Sequence, residues 1–165
     1  MQHERTERIV EQIRCALETR HYDSFVDLFT DGGVYELPFA LRGGVRRYEG
    51  ISTIRERFVA IGKSPANTLY ELDHVAVAVH ESIDPDVVTL EWSISGRLHA
   101  NGAPIHIPSS VAVVFFEGDK IKHYSDYPNA AGIAEAVGLL PAYAASWQYS
   151  LPFDLPLPGK KELVH

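Results

Sequence analysis

The sequence predicts an α+β layer fold in which helices come first and cover one face of a mainly antiparallel sheet. Three observations predict it. Residues 4–62 contain three segments of helical spacing, and residues 69–127 contain four runs of alternating apolar and polar residues. The runs are joined by Asp84-Pro85-Asp86, Asn101-Gly102 and Gly118-Asp119, turn chemistry tight enough to make neighbouring strands antiparallel. At 165 residues the chain has the length of one domain and can bury one substantial core.

Across residues 4–20, Ile9, Ile13, Ala16 and Leu17 fall on one stripe with Val10 at its edge, the pattern of an amphipathic helix. Cys15 is expected among the small core residues of that helix. The stretch DSFVDLFTDGG reads as a second helix, with Asp23 or Ser24 as N-cap and Gly32 and Gly33 as the stop. VYELPFA is a short strand that Pro38 keeps out of a central ladder position. GISTIRERFVAIG is helical again, with Ile51, Ile54, Phe58 and Ile61 on one face and Gly62 as terminator. The four long strands are expected at 69–79, 87–98, 105–116 and 120–127, and Asn129 is the expected N-cap of a helix that stops at Gly138. After Gly138 the chain is rich in Pro and aromatics without a clear period. Residues 1–140 are therefore expected to form the domain. Residues 141–165, with Trp147, Tyr149 and Phe153, are expected to form a tail packed on the domain or on a partner subunit.

The formal net charge of −7, with no Lys/Arg block denser than Arg42, Arg46 and Arg47, speaks against a nucleic-acid surface. A single cysteine excludes an internal disulfide framework and fits the cytoplasm. The charged N-terminus lacks the apolar run of a secretory signal, and no window approaches the about 20 apolar residues of a membrane span. The eight histidines show neither helical i, i+4 pairs nor Cys/His clusters, so no metal site is expected, and His74 is expected to be buried and hydrogen-bonded. No Gly-x-Ser-x-Gly elbow, phosphate loop or dinucleotide fingerprint appears, and no cofactor is expected. In the strand 87–98, Val88, Leu90, Trp92, Ile94 and Leu98 form an apolar face opposite Thr89, Glu91, Ser93, Ser95 and Arg97. A sheet covered by helices on one side only needs a second cover, so a homodimer packed through the sheet is expected, with Trp92 at that face.

The segments HYDSFVDLFTDGGVYELP, YEGISTIRERF and GDKIKHYSDYPN, followed by IAEAVG, resemble the SnoaL-like polyketide cyclases. These belong to the nuclear-transport-factor-two-like superfamily, with ketosteroid isomerase, scytalone dehydratase and limonene epoxide hydrolase. The resemblance spans roughly the first 140 residues. It implies a cone-shaped barrel in which a strongly bent sheet and three helices enclose an apolar pocket, with a few polar residues on the inner strands doing chemistry without metal. The second carboxylate of the epoxide hydrolase pattern matches Asp126, but the positions of its arginine and first aspartate hold Glu91 and Ser93, which removes that triad. Against ketosteroid isomerase, Leu37 occupies the place of the base with Glu36 one residue away, and SSVAVVFF carries no acid.

Asp126, on the parity of Tyr124, is the leading catalytic candidate, because a dry apolar pocket raises a carboxyl pKa toward the range useful for proton transfer. A plainer role is open to it as an acid near the N-terminus of the helix at Asn129. Glu91 is expected to face Asp126, so that the two carboxylates push their pKa values apart. Tyr35 could supply a proton or hydrogen bond to a carbonyl, Ser93 could bond an oxyanion or orient water, and His106 is a possible acid or base. Tyr124, Glu36, Leu37, Phe39 and Trp147 complete the expected substrate contacts. These residues fit a cofactor-independent acid/base enzyme that cyclises, isomerises or dehydrates a hydrophobic polyketide-like or polycyclic molecule. A non-catalytic binder or dimerising scaffold of the same fold is the alternative.

Overall fold

Ile9, Ile13 and Ala16 are buried on α1 (Gln2–Thr19), and the stripe they form lays the helix over the inner face of a six-stranded sheet. The computed structural model describes residues 2–40 and 44–150. After α1 come α2 (Tyr22–Val26), β1 (Phe29–Glu36), β2 (Arg47–Glu49), α3 (Ile51–Gly62) and α4 (Pro65–Thr68). The long strands β3 (Tyr70–Glu81), β4 (Val87–Leu98), β5 (Pro104–Glu117) and β6 (Lys120–Tyr127) follow, then α5 (Ala130–Ala136) and α6 (Leu140–Ser150). No helix among the described residues is long and apolar enough to cross a membrane.

The strand order is β2-β1-β6-β5-β4-β3. Every pairing is antiparallel except β1 with β6, which run parallel. The sheet is therefore a mixed, open layer rather than a closed barrel, and register shifts in four of its five pairings supply the bends that curl it around the helices. One bend leaves no room for a side chain. A Cβ on Gly96 would lie 2.0 Å from the Glu71 carbonyl oxygen across the β3–β4 pair.

Between sheet and helices an aromatic cluster fills the core. Phe25 packs edge-on against Phe29, Phe58 and Tyr124 at 4.9–5.3 Å, and Tyr35 stacks on Tyr124 at 5.9 Å. Helix α1 is pinned at both ends. Arg5 donates to Asp86, Pro85 O and Gly118 O and lies over the Phe116 ring, while Glu18 accepts from Val75 N and so satisfies a backbone donor on the edge strand β3. Arg55 of α3 donates to Asp23 and Asp27, tying α3 to α2.

Several local expectations are corrected. The second helix ends at Val26, and Gly32 and Gly33 lie inside β1; Gly33 fits beside Phe29 and Thr30 O, where a Cβ would be only 3.0 Å from either. His21, not Asp23 or Ser24, precedes that helix and makes no side-chain cap. Cys15 points away from the stripe of Ile9, Ile13 and Ala16 and is exposed. His74 is exposed at the sheet edge beside Glu18, 3.3 Å away. Residues 140–150 form a helix, and the remainder of the expected tail, 151–165, lies outside the described residues, as does Arg42. The strand β2 and the short α4 had no sequence signal strong enough to announce them.

Gly96→Ala is expected to lower folding stability by about 1–3 kcal/mol in chemical denaturation, because the backbone of β3 must move to admit the methyl group. Gly32→Ala, at a site with nothing within 4 Å, is expected to change it by less than about 0.5 kcal/mol.

Candidate active site

Parity along the strands decides what faces the helices. Asp126 pairs with Ala112, which pairs with Leu90, and Tyr124 pairs with Val114, which pairs with Val88. Ala112, Leu90, Val114 and Val88 are all buried core residues, so Asp126 and Tyr124 share the inner, helix-covered face. In the parallel pairing Tyr35 is level with Tyr124, which brings a β1 tyrosine over the β6 carboxylate. Tyr35 is 3 % exposed and donates its hydroxyl proton to Asp126 Oδ2 at 2.5 Å.

Asp126 does not cap the following helix. That role belongs to Asn129, whose Oδ1 accepts from Gly132 N at 2.9 Å. Half-buried among aromatic rings, the Asp126 carboxyl is pushed up to about 6 by loss of hydration, against the opposing pull of the Tyr35 hydrogen bond and of the Arg57 charge. Burial, reinforced by the neighbouring carboxylate, holds the Tyr35 and Tyr124 hydroxyls well above the ordinary tyrosine range, so both stay protonated donors.

Glu91 does not face Asp126. It pairs with Val111 and Ala78, one residue out of phase with Leu90, and so lies on the outer face of the sheet. There it accepts from Ser109 Oγ at 2.8 Å and lies 3.5 Å from His80 Nε2. Ser93, two residues along, shares the outer face. His106 is exposed with its Nδ1 3.2 Å from Ser95 Oγ, level with that outer residue. Glu36 also turns outward, its Oε2 2.9 Å from His123 Nε2. The one-residue phase of a strand thus separates the expected polar set: Asp126 and Tyr35 meet inside, and Glu91, Ser93, His106 and Glu36 lie outside.

Of the expected contacts, Tyr124 belongs to the buried aromatic cluster and Leu37 is half-buried against it. Phe39 is 78 % exposed, with its ring 5.1 Å from that of Tyr127. Trp147 lies on α6. Trp92, expected at the outer face, is instead buried on the inner one, with its indole directed toward the Tyr124 hydroxyl but without a closed hydrogen bond.

The residue that sequence reasoning missed is Arg57. It lies at the edge of the α3 stripe, three residues after Ile54 and one before Phe58, and this position was the available signal. Its guanidinium lies over the Tyr48 ring at 5.5 Å, and its charge reaches both Asp126 and Tyr35. Tyr48 in turn pairs with Tyr35 across β1 and β2, ring to ring at 6.2 Å. A half-buried cation, two hydroxyl donors and one carboxylate of raised pKa thus gather on the inner face among packed aromatic rings. Among the described residues no cluster of three or more His, Cys, Asp or Glu could hold a metal ion.

The SnoaL-like domain model matches residues 9–124 of this chain. An uncharacterized protein of Bacillus subtilis (strain 168), YesE, is 27% identical over 115 residues, which are 70% of this chain and 75% of that protein. Among solved structures, a Bacillus subtilis protein described as a candidate isomerase superposes with a TM-score of 0.69 at 24% identity, covering 84% of this chain and 96% of its own. A candidate polyketide cyclase from Xanthomonas campestris pv. campestris has a TM-score of 0.62 at 16% identity, over 83% and 99% of the two chains. A Catenulispora acidiphila protein with a ketosteroid isomerase-like fold, in complex with trimethylamine, has 0.59 at 19%, over 79% and 92%. At these identities the structures show a shared fold.

Folded Asp126 releases its proton near pH 6 and the unfolded chain near the ordinary 3.8, so its ionisation costs folding stability as pH rises between the two. Asp126→Asn is therefore expected to be more stable than the parent at pH 8, by about 1–3 kcal/mol in urea denaturation, and to lose that advantage below pH 4. A variant less stable than the parent at both pH values would mean that the carboxylate is a structural anchor.

Proposed function

The chain belongs to the SnoaL-like domain family, and from that premise we propose that it is a cofactor-independent enzyme that moves a proton on a hydrophobic carbonyl compound. Isomerisation, cyclisation and dehydration of polyketide-like or polycyclic molecules all begin with such a step. The observation that carries the reading is Asp126, a carboxyl of pKa about 6 on the inner face, accepting from Tyr35 within an aromatic cluster. A carboxylate with a pKa near the working pH is both a competent base and, once protonated, a competent acid. Asp126 would take the proton from the carbon next to the carbonyl and return it at a second position. Tyr35 would hold the carboxylate in place through its hydroxyl and favour the ionised state between turnovers. The surrounding rings would keep the substrate enolate away from water.

The family fold binds small molecules, and the expected dimer belongs to the same reading. Val111, Val113 and Phe115 of β5 lie on the outer face, level with Glu91, Thr89 and Val87 of β4 and with Tyr127, Ser125 and His123 of β6. A second copy of this chain is the occupant we assign to that stripe, because a face of neutral and paired polar groups around a central strand suits a twofold contact with itself. Val113→Glu is expected to shift the mass measured by light scattering from two chains to one; a wild-type protein of single-chain mass would contradict this.

With enolisable aromatic ketones as substrates, kcat/KM is expected to rise with pH through about 6, since the free enzyme needs the carboxylate as base. Asp126→Asn is expected to lower kcat by about 10²–10⁴-fold with KM little changed. Tyr35→Phe removes a hydrogen bond to the charged form and is expected to move the pH limb upward. Turnover that survives in Asp126→Asn would overturn the assignment and leave a binding protein.

A further inference from the structure

Around the Tyr35–Asp126 pair lie buried donors that close no hydrogen bond. Among the described residues three buried side-chain nitrogens lack a partner, Arg5 Nε, Arg57 Nε and Trp92 Nε1; the charge of Arg57 acts on Asp126 and Tyr35, and Trp92 approaches the hydroxyl of Tyr124, on which Tyr35 stacks. Arg57 reaches the pair from α3 by way of Tyr48, and it makes no hydrogen bond or ion pair with any described residue. Trp92 reaches it from β4. It lies on the inner face two residues beyond Leu90, whose neighbour Ala112 pairs with Asp126. The Asp126 carboxylate already accepts from Tyr35, and no salt bridge closes between it and Arg57.

Buried N–H groups normally find acceptors, and a half-buried guanidinium that closes no salt bridge is costly to keep. A cation that closes no salt bridge, and an indole donor that approaches the Tyr124 hydroxyl without closing a hydrogen bond to it, suit a small anion with acceptor oxygens. A planar guanidinium fork suits two such oxygens at once. The ring of Tyr48 beneath the guanidinium and the neighbouring rings of Tyr35 and Phe58, which pack edge to face at 5.0 Å, offer aromatic surface to a body attached to them.

We infer that Arg57 and Trp92 recognise an anionic oxygen of the substrate, in the form of a carboxylate or a 1,3-dicarbonyl enolate carried on an aromatic body, beside Asp126. The inference deepens the reading of Asp126 as proton carrier and rests on it for the reaction, but the binding step stands apart from turnover. An enolate formed when Asp126 removes a proton carries its charge on the carbonyl oxygens, so the same cation would stabilise the product of that step. The proton passes from substrate carbon to the Asp126 carboxylate, and the electron pair it leaves stays on the enolate.

The test is calorimetric titration of the intact protein with three probes: naphthoate, the enolate of a phenyl-substituted cyclohexanedione, and the neutral naphthamide. At least one of the two anions is expected to bind at least tenfold more tightly than naphthamide. A carboxylate preference and an enolate preference identify which form the site takes. Arg57→Gln is expected to weaken the preferred anion at least tenfold and to leave naphthamide unchanged. Arg57→Lys, which restores the charge without the planar fork, is expected to fall between, and Trp92→Phe to cause a smaller loss. The unmodified protein alone can overturn the inference, whatever the variants do to the fold: neither anion binding, or neither outbinding naphthamide, contradicts it. So does full affinity in Arg57→Gln. Asp126→Asn separates the two readings, since it is expected to keep or tighten naphthoate binding while turnover is lost. If turnover persists there, the acid/base reading fails and anion recognition remains. If Arg57 proves irrelevant to binding while Asp126→Asn is inactive, this inference fails alone.

Discussion

The hydrogen bond from Tyr35 to Asp126 is the contact on which the interior depends. A carboxylate placed among aromatic rings is costly, and it persists only where a donor and a nearby cation offset the lost hydration. Tyr35 supplies the donor from β1, and Arg57 supplies the charge from α3. Because β1 and β6 run parallel, the two side chains come from strands far apart in the chain, and their contact depends on the pairing of β1 with β6. The same pairing places Tyr35 against Tyr124 and Phe58, so the polar pair and the aromatic core are one packing unit.

That arrangement ties stability to chemistry with opposite signs. The raised pKa of Asp126 means the ionised form works against the fold, while an ordinary, solvated carboxylate would be a poor proton carrier at neutral pH. Arg57 adds to the tension, since its buried Nε has no partner and its charge acts on Asp126 without closing a salt bridge. A core designed only for stability would place apolar residues at all three positions. Cost concentrated in one cluster of a packed core is the usual mark of a functional site.

The frame was largely legible in the sequence because it rests on periodicity and turns. The four long strands begin and end within two residues of where alternation placed them, and Asn129 caps α5 as its side chain suggests. What failed were readings that depend on where other elements go. Glycines at 32 and 33 look like a helix stop, yet they lie inside β1, in the irregular stretch between its two pairings with β6 at Phe29 and at Val34. Alternation along β4 divides apolar from polar residues, but which face the helices cover is a tertiary matter. A carboxylate pair between Glu91 and Asp126 was therefore expected where the register puts them on opposite sides. Arg57 shows the same limit from the other direction. A charged residue beside an apolar stripe is commonly solvated, and only the packing of α3 over β1 and β2 turns this one inward.

The central claim is that Asp126 is a buried, titrating reagent rather than a fixed structural anion. The most direct measurement is its own pKa, followed by carbon-detected NMR of labelled aspartate side chains, with the resonance assigned by its absence in Asp126→Asn. A midpoint near 6 is the expected result. A midpoint at or below the ordinary carboxylate value would contradict it, because the pull of Tyr35 and Arg57 would then outweigh burial and the group could not exchange protons at neutral pH.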